Sequence, residues 1–321
     1  MTHEKSYTTE EIAKILRISK LTVYDLIKKG ELPAYRVGRQ MRVDESDLEA
    51  YKARAKGGYR QAQGEASAHS MQGQALPTTG QTMPSALRHV IISGQDVSLD
   101  LLASHLEKRE LPLRPLRSYS GSLNSLVAMY AGKADIVSTH LFDGETMEYN
   151  VPYVRRILNG HRFLVVNMLA RWAGLYVQAG NPKQILSWTD LAKPGVRIVN
   201  REKGSGARTL LEEQLRLANI AGRDVNGYEH EETSHLALAG VVARKEADVG
   251  VGIEKAARLV GVEFVPMVKE RYDLVMLKTK ENETLLTAVL DILRSAAFQK
   301  ELEAVGGYDL SQTGTIIYET W

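Results

Sequence analysis

The 321 residues include no cysteine, so disulfides, thiolate metal sites and cysteine nucleophiles are excluded, and nothing argues for an oxidising compartment. No apolar stretch reaches the about 18 residues that a membrane-spanning helix needs, and the opening MTHEKSYTTEE lacks the apolar core of a signal peptide. A soluble protein of the cytoplasm, without membrane partners, is the expectation. A strong charge of either sign is missing as well. The 41 basic and 39 acidic side chains leave a formal +2, which does not mark the chain as a whole for a polyanionic partner.

That small total conceals a gradient. Residues 1–60 carry 13 basic against 9 acidic groups, residues 61–86 carry only Glu65, and residues 87–321 carry 28 basic against 29 acidic groups. Positive charge therefore gathers at the N-terminal end, where a phosphate backbone would be met. The length allows two or three domains, and composition divides the chain at the same places: a first domain over 1–56, a linker over 57–86 rich in Gly, Gln, Ala, Ser, Thr and Pro, and a third region over 87–321.

In the first domain Thr8 and Glu11 have the spacing of a capping box, and Ile12, Ile15 and Leu16 form the inner stripe of the helix it would start. Ser19 is placed to cap a second helix that turns Val23, Leu26 and Ile27 inward and ends at Gly30. Lys20, Thr22, Tyr24, Asp25 and Lys28 then face outward, a set able to meet phosphates and base edges. Past Pro33, Tyr35 and Val37 before Gly38 and Met41 and Val43 after it alternate as a β-hairpin would, which leaves Arg36, Arg39 and Arg42 on the other face. Asp44 opens a third helix carrying Leu48 and Tyr51 inward. This stretch, Tyr7 to Arg54, resembles the excisionase and MerR-like winged helix-turn-helix family. The resemblance implies contact with a double-stranded DNA operator through the second helix and the wing. One such module buries too little surface for specific binding, so a homodimer or higher homo-oligomer reading two half-sites is expected. The other reading of the basic groups is a solvated face of a protein-interaction domain.

From Arg88 onward short apolar runs alternate with amphipathic helical segments, the pattern of an α/β domain. The run HRFLVVNMLARWAGLYVQAGNP is longer than one strand needs and is read as a segment crossing between two lobes; LLTAVLDILRSAAFQKELEAVGG is read as one final helix packing on the first lobe or the hinge. Gly-Ser turns stand at two strand-to-helix junctions, Ser120, Gly121, Ser122 and Gly204, Ser205, Gly206. Such junctions leave backbone amides free at the positive end of a helix. Either one alone is ordinary capping; two facing each other across a cleft would enclose a small oxyanion. Ser93 and Gly94 would add a third set of donors. Arg208 is expected to touch the ligand or brace its loop, and Arg201 to close the cleft or stay at the surface. His140 reads equally as a neutral donor at the cleft and as a loop histidine, while Tyr272 and Asp273 fall where the chain recrosses between lobes and suit a hinge.

In order, ISGQD, GSLNSLVAMYAGKADIVSTH, EYNVPYV, GNP, VNREKGSGARTLL, ADVGVGIE and RYDLV are similar to the periplasmic-binding-protein-like domain related to molybdate- and tungstate-binding proteins, from Leu87 to Ser311. Ala207 stands where most relatives have threonine. The resemblance implies a type II two-lobed α/β domain with molybdate or tungstate as effector ligand. The expected whole is multidomain, an N-terminal winged helix-turn-helix, mostly α with a β-hairpin wing, joined to that two-lobed domain in a one-component transcriptional regulator. The rivals are the solute receptor of an anion transporter, an excisionase-type recombination accessory protein, and an enzyme of cofactor metabolism. No catalytic residue is singled out: GSGAR lacks the lysine and hydroxyl of a nucleotide phosphate loop, and Ser205 has no histidine base set by motif. His161, His230 and His235 with Glu229, Glu231 and Glu232 match no common metal-ligand spacing, so no metal site and no catalytic cofactor are expected.

Overall fold

A computed structural model describes residues 6–16, 20–28, 32–37, 40–57 and 87–321. The expected cap at Ser19, helix stop at Gly30, turn at Gly38, the wing residue Arg39 and nearly all of the linker lie outside the described residues. Two compact units result, residues 1–81 and residues 82–321.

The first unit runs β1 (Ser6–Thr8), α1 (Thr9–Leu16), α2 (Lys20–Lys28), β2 (Tyr35–Val37), β3 (Gln40–Asp44) and α3 (Glu45–Gly57). The Thr8 amide donates to Glu11 Oε2 at 2.8 Å and the Glu11 amide to Thr8 Oγ1 at 3.3 Å, the reciprocal capping box that starts α1. Ile12, Val23, Leu32, Val43 and Leu48 form the core. Ile15, expected beside Ile12, is 41% exposed, because α1 is only eight residues long and its buried line runs through Thr9 and Ile12. The wing pairs Tyr35 with Arg42 and Val37 with Gln40, and β1 adds a third strand, antiparallel to β3, that the sequence pattern did not suggest.

The second unit begins β4 (Arg88–Ser93), α4 (Ser98–Glu107), β5 (Leu113–Ser118), α5 (Ser122–Tyr130) and β6 (Ile136–Thr139). The small hairpin β7 (Phe142–Asp143) and β8 (Glu148–Tyr149) follows, with α6 (Val151–Ile157) behind it, and then β9 (Phe163–Val177). A second α/β set comprises β10 (Ile198–Arg201), α7 (Gly206–Leu217), β11 (Glu231–Glu232), α8 (His235–Ala243), β12 (Val249–Ile253) and α9 (Glu254–Val260). The chain returns through β13 (Glu263–Leu277) and closes with α10 (Glu283–Arg294), α11 (Ala296–Val305) and β14 (Ile316–Glu319).

Two strands make this a two-lobed domain. β9 and β13 each have 15 residues, long enough at about 3.3 Å per residue to traverse both lobes. They pair antiparallel from Val177 opposite Glu263 to Phe163 opposite Leu277. At one end β9 pairs with β12 through Ala173–Val177 and at the other with β14 through Leu164–Val166. β13 joins β6 through Asp273–Met276. The crossing is marked by a register shift at Tyr272/Asp273. There the buried Asp273 accepts from Asn150 at 2.7 Å, Asn167 at 2.9 Å and Arg271 at 2.7 Å, a polar tie between the long strands and the start of α6.

The expected single final helix is two helices. Ser295 leaves the helical region (ψ 136°) and its hydroxyl caps α11 by accepting from the Phe298 amide at 3.3 Å. Both helices pack on the first lobe, where Leu285, Val289, Ile292, Phe298 and Leu302 join Leu99, Leu102 and Leu106 of α4 in one core.

Candidate functional site

Both Gly-Ser junctions begin helices whose starts meet. α5 starts at Gly121, which has extended backbone (φ −68°, ψ 158°) and no side-chain cap bond. α7 starts at Ser205, whose hydroxyl accepts from the Arg208 amide at 3.3 Å. The lobes touch at this point: the Leu123 amide donates to the Gly204 carbonyl at 3.0 Å, and a Cβ added at Gly121 would lie 2.9 Å from that same carbonyl oxygen. Among the described residues the amides of Ser122, Gly206 and Ala207 have no hydrogen-bond acceptor.

Between the two starts lies a cavity of about 50 Å³. Ser120, Gly121 and Ser122 line it from the first lobe and Arg201, Ser205 and Gly206 from the second, with His140, Arg171 and Tyr272 also in its wall. A cavity of this size holds a group of a few heavy atoms, far below the hundreds of Å³ typical of pockets for larger organic ligands.

The donors around it are oriented by a buried network. His140 Nδ1 lies 3.0 Å from Ser122 Oγ, and the His140 amide donates to that oxygen at 3.4 Å. Burial, together with Arg171 and Arg201, holds the His140 imidazole well below its ordinary pKa, so the ring is neutral. The Ser122 hydroxyl accepts from the His140 amide and has its own proton free for Nδ1; in that tautomer the ring proton sits on Nε2. That edge faces the start of α7, since a Cβ at Gly206 would fall 2.3 Å from His140 Nε2 and 2.1 Å from Cδ2. Tyr272 stacks on His140 with centroids 5.4 Å apart and lies under Arg171 at 4.7 Å, while its hydroxyl donates to Ser138 Oγ at 2.6 Å.

Two buried arginines reach this place. Arg171, on β9, donates from Nε to Glu270 at 2.6 Å and from Nη1 to Asp96. Burial pushes the Asp96 carboxyl up, but Arg171, Ser98 and Tyr308 outweigh that and hold it below the usual carboxylate range. Arg201 is 1% exposed. Its Nε donates to Glu202 at 2.8 Å and its Nη2 to Gln95 Oε1 at 2.8 Å. Carboxylates match each guanidinium, Asp96 and Glu270 at Arg171 and Glu202 at Arg201, but of these only Asp96 lines the cavity with the two arginines. Oriented donors, the two helix starts and the guanidinium of Arg201 therefore face the cavity together.

Residues 103–294 match the family model described as a PBP superfamily domain. The chain belongs to the PBP superfamily. Residues 6–56 match a second model, described as a helix-turn-helix domain. The PBP chain is 50% identical, over its whole length and that of the relative, to the uncharacterised protein YvgK of Bacillus subtilis (strain 168). Its two-lobed fold is that of a candidate phosphate ABC transporter substrate-binding protein from Clostridium perfringens with phosphate bound (TM-score 0.52, 15% identity, 69% of this chain and 99% of that one). It is equally that of the tungstate ABC transporter protein from Geobacter sulfurreducens (TM-score 0.52, 13% identity, 68% of this chain and 100% of that one). A helix-turn-helix domain joined to a PBP domain fits a ligand-responsive DNA-binding regulator.

Several residues singled out by sequence lie elsewhere in the PBP domain. Ser93 is buried against Ser125 at 2.9 Å, and the Gly94 amide is bound to the Ser118 carbonyl at 2.9 Å because β4 is still pairing with β5 there. Gly94 instead permits close approach, as a Cβ would overlap Ser138 Oγ at 1.9 Å. Gly204 turns the loop in a left-handed conformation (φ +85°) and offers its carbonyl to Leu123. Arg208 points away from the cavity into α7 and its neighbours: it donates to Glu212 at 2.6 Å and to the Tyr228 carbonyl at 3.2 Å, and stacks on the Tyr228 ring at 4.2 Å. Its side chain reaches neither the ligand cavity nor the Gly204–Gly206 loop; only its backbone amide meets that loop, at Ser205 Oγ. Asp96, Arg171, Ser138 and Gln95 line the cavity without having been singled out; His235, weighed only as a metal ligand, and Tyr272, assigned to the hinge, line it too. A lone arginine in the middle of the apolar run of β9 was the available signal, since buried arginines need partners.

In the first unit Thr22 and Tyr24 are exposed on α2, Tyr24 by 44%. Arg42 is half-buried and donates to Ser6 Oγ at 3.1 Å. The side chains of Lys20, Lys28 and Arg36, like Arg39, lie outside what is described. Among the described residues no three His, Asp or Glu side chains gather in metal-ligating geometry, and no helix is long and apolar enough to cross a membrane.

Proposed function

We propose that the protein is a transcriptional regulator whose PBP domain, residues 87–321, binds a small oxyanion between its lobes and thereby changes the affinity of the helix-turn-helix domain, residues 1–56, for operator DNA. The observation that carries this reading is the cavity formed where two helix starts, one from each lobe, meet beside Arg171 and Arg201. Tungstate and phosphate in the names of proteins with this fold support an oxyanion, and the motif resemblance favours molybdate or tungstate among them. The effector binds through Ser122, Ser205, Gly206, His140 and Arg201, and no step of catalysis is assigned. A homodimer carries two heads, and lobe closure alters their spacing. The size of the regulatory change is bounded by how differently the ion binds the two dimer shapes.

Thermal melting with molybdate, tungstate, sulfate and phosphate tests the reading. A marked rise in the midpoint with one or two of the four is expected, together with a shift in operator affinity by gel titration; no rise with any of them removes the oxyanion. On the DNA side, Arg36→Ala or Arg42→Ala weakens operator binding and lowers the salt slope by about one unit per lost phosphate contact, while ion affinity stays unchanged.

A further inference from the structure

The small cavity adjoins a larger hollow that a bare ion leaves unused. The hollow measures about 320 Å³ and shares Gln95, Asp96, His235 and Ile253 with the cavity as a common wall. Its remaining lining is mainly apolar, from Val97, Tyr119, Leu236 and Leu259. These four are 43%, 67%, 51% and 69% exposed, although α8 and α9 bury Leu238, Ala239 and Ala257 in the core. Large apolar groups left in water around one opening beside a polar cleft mark a binding surface.

Two further observations bear on what occupies it. In the shared wall, His235 Nδ1 is buried and has no hydrogen-bond partner, so a desolvated polar atom stands between the two compartments unsatisfied. Gln95, also in that wall and exposed, fills the place between them with an amide that accepts from Arg201 Nη2 at 2.8 Å, a bond that a ligand oxygen can take over. Asp96, in the same shared wall and held ionised by Arg171, opposes added negative charge on an ion beside it. Substituting one oxygen of an oxyanion lowers its limiting charge by one.

We propose that the effector is a monosubstituted oxyanion, an ester whose tetrahedral head occupies the small cavity and whose flat apolar group lies against Leu236, Leu259, Val97 and Tyr119. This rests on the oxyanion reading above and adds the substituent to it. The volume of the hollow, at the lower end of the range for organic ligands, suits a ring-sized group.

Calorimetric titration of the full chain tests it, with sulfate against phenyl sulfate and phosphate against phenyl phosphate, and with molybdate and tungstate alongside. At least one phenyl ester is expected to bind about tenfold or more tightly than its inorganic parent, or to bind where the parent does not. Leu236→Asp and, separately, Leu259→Asp should remove that advantage without lowering the parent's affinity or the thermal midpoint; both positions are exposed enough to accept the change. Parents that bind as tightly as their esters, or a gain that survives both substitutions, overturn the proposal. So does Leu236→Asp dissociating an oligomer in sedimentation while ester selectivity persists, because the hollow is then a contact between copies. Binding of molybdate or tungstate with no gain for either ester discards the substituent alone, whereas no binding by any ion or ester discards the oxyanion reading with it.

Discussion

The two helix starts at the cavity look alike in sequence and are used differently. At α5 the residue before the helix is Gly121, no side chain caps it, and Ser122 turns its hydroxyl to His140. At α7 Ser205 caps its own helix through the Arg208 amide, so one first-turn donor is already engaged. The first start thus depends on an imidazole for its order and the second on its own serine. The second compensates with a cation close by, because Arg201 lines the cavity while Arg208, the third residue of α7, is held by Glu212 and Tyr228. A pair of Gly-Ser junctions therefore predicts where amides gather but not which neighbours complete the site.

Space gives the sharpest way to separate the two starts. Gly206→Ala places a methyl group 2.1 Å from the His140 ring, inside the cavity wall, and is expected to lower ion affinity by about 100-fold or more, ~3 kcal/mol. Gly121→Ala meets a backbone carbonyl at 2.9 Å, which gives by opening the lobes slightly, so a loss of about tenfold is expected. Equal losses in calorimetry would mean that the starts are equivalent after all. The arginines divide in the same manner. Arg201→Ala should abolish the ion-induced rise in melting temperature, whereas Arg208→Ala should leave ion affinity within about threefold and instead reduce stability, by about 1–3 kcal/mol for a half-shielded pair. An ion response lost in Arg208→Ala and kept in Arg201→Ala would reverse the assignment.

The wing hairpin and the α/β lobes follow from local patterns, and those patterns were legible. Thr8 and Glu11 set a helix start through a three-residue spacing, and the alternation around β2 and β3 put Val43 in the core. What escaped was set by partners far away in the chain. β1 pairs with β3 across more than thirty residues, and three residues offer no period to read. Ser295 interrupts an apolar helical period that runs through it on both sides, because its hydroxyl satisfies the next helix. The Asp96, Arg171, Glu270 cluster brings a loop and the two crossing strands together. Asp96 and Glu270 look like ordinary polar residues in sequence, and only the lone arginine in the apolar run of β9 signals that a buried charge needs partners. Arg208 shows the converse: adjacency to the loop in sequence suggested contact, but a side chain at that helical position leans toward Glu212 one turn on.

The smallest expected effect concerns protons, and it compares one histidine from each lobe. Burial holds both His140 and His235 well below their ordinary pKa, with Arg171 and Arg201 adding to the effect. In the unfolded chain both titrate near the ordinary value of 6.5. Below that pH the unfolded state binds protons that the folded state refuses, so stability present at neutral pH is lost as the pH falls, with each histidine contributing at most about 1.4 kcal/mol per pH unit. Melting midpoints between pH 7.5 and 5 should therefore fall, and His140→Gln and His235→Gln should each flatten part of that slope. Ion affinity should respond unequally. Loss of His140 removes both the Nε2 donor and the partner that orders Ser122, so binding weakens; loss of His235 removes an atom that nothing in the protein satisfies, so binding of an inorganic ion holds. If the two variants weaken an inorganic ion equally, the imidazole is not what distinguishes the first helix start from the second.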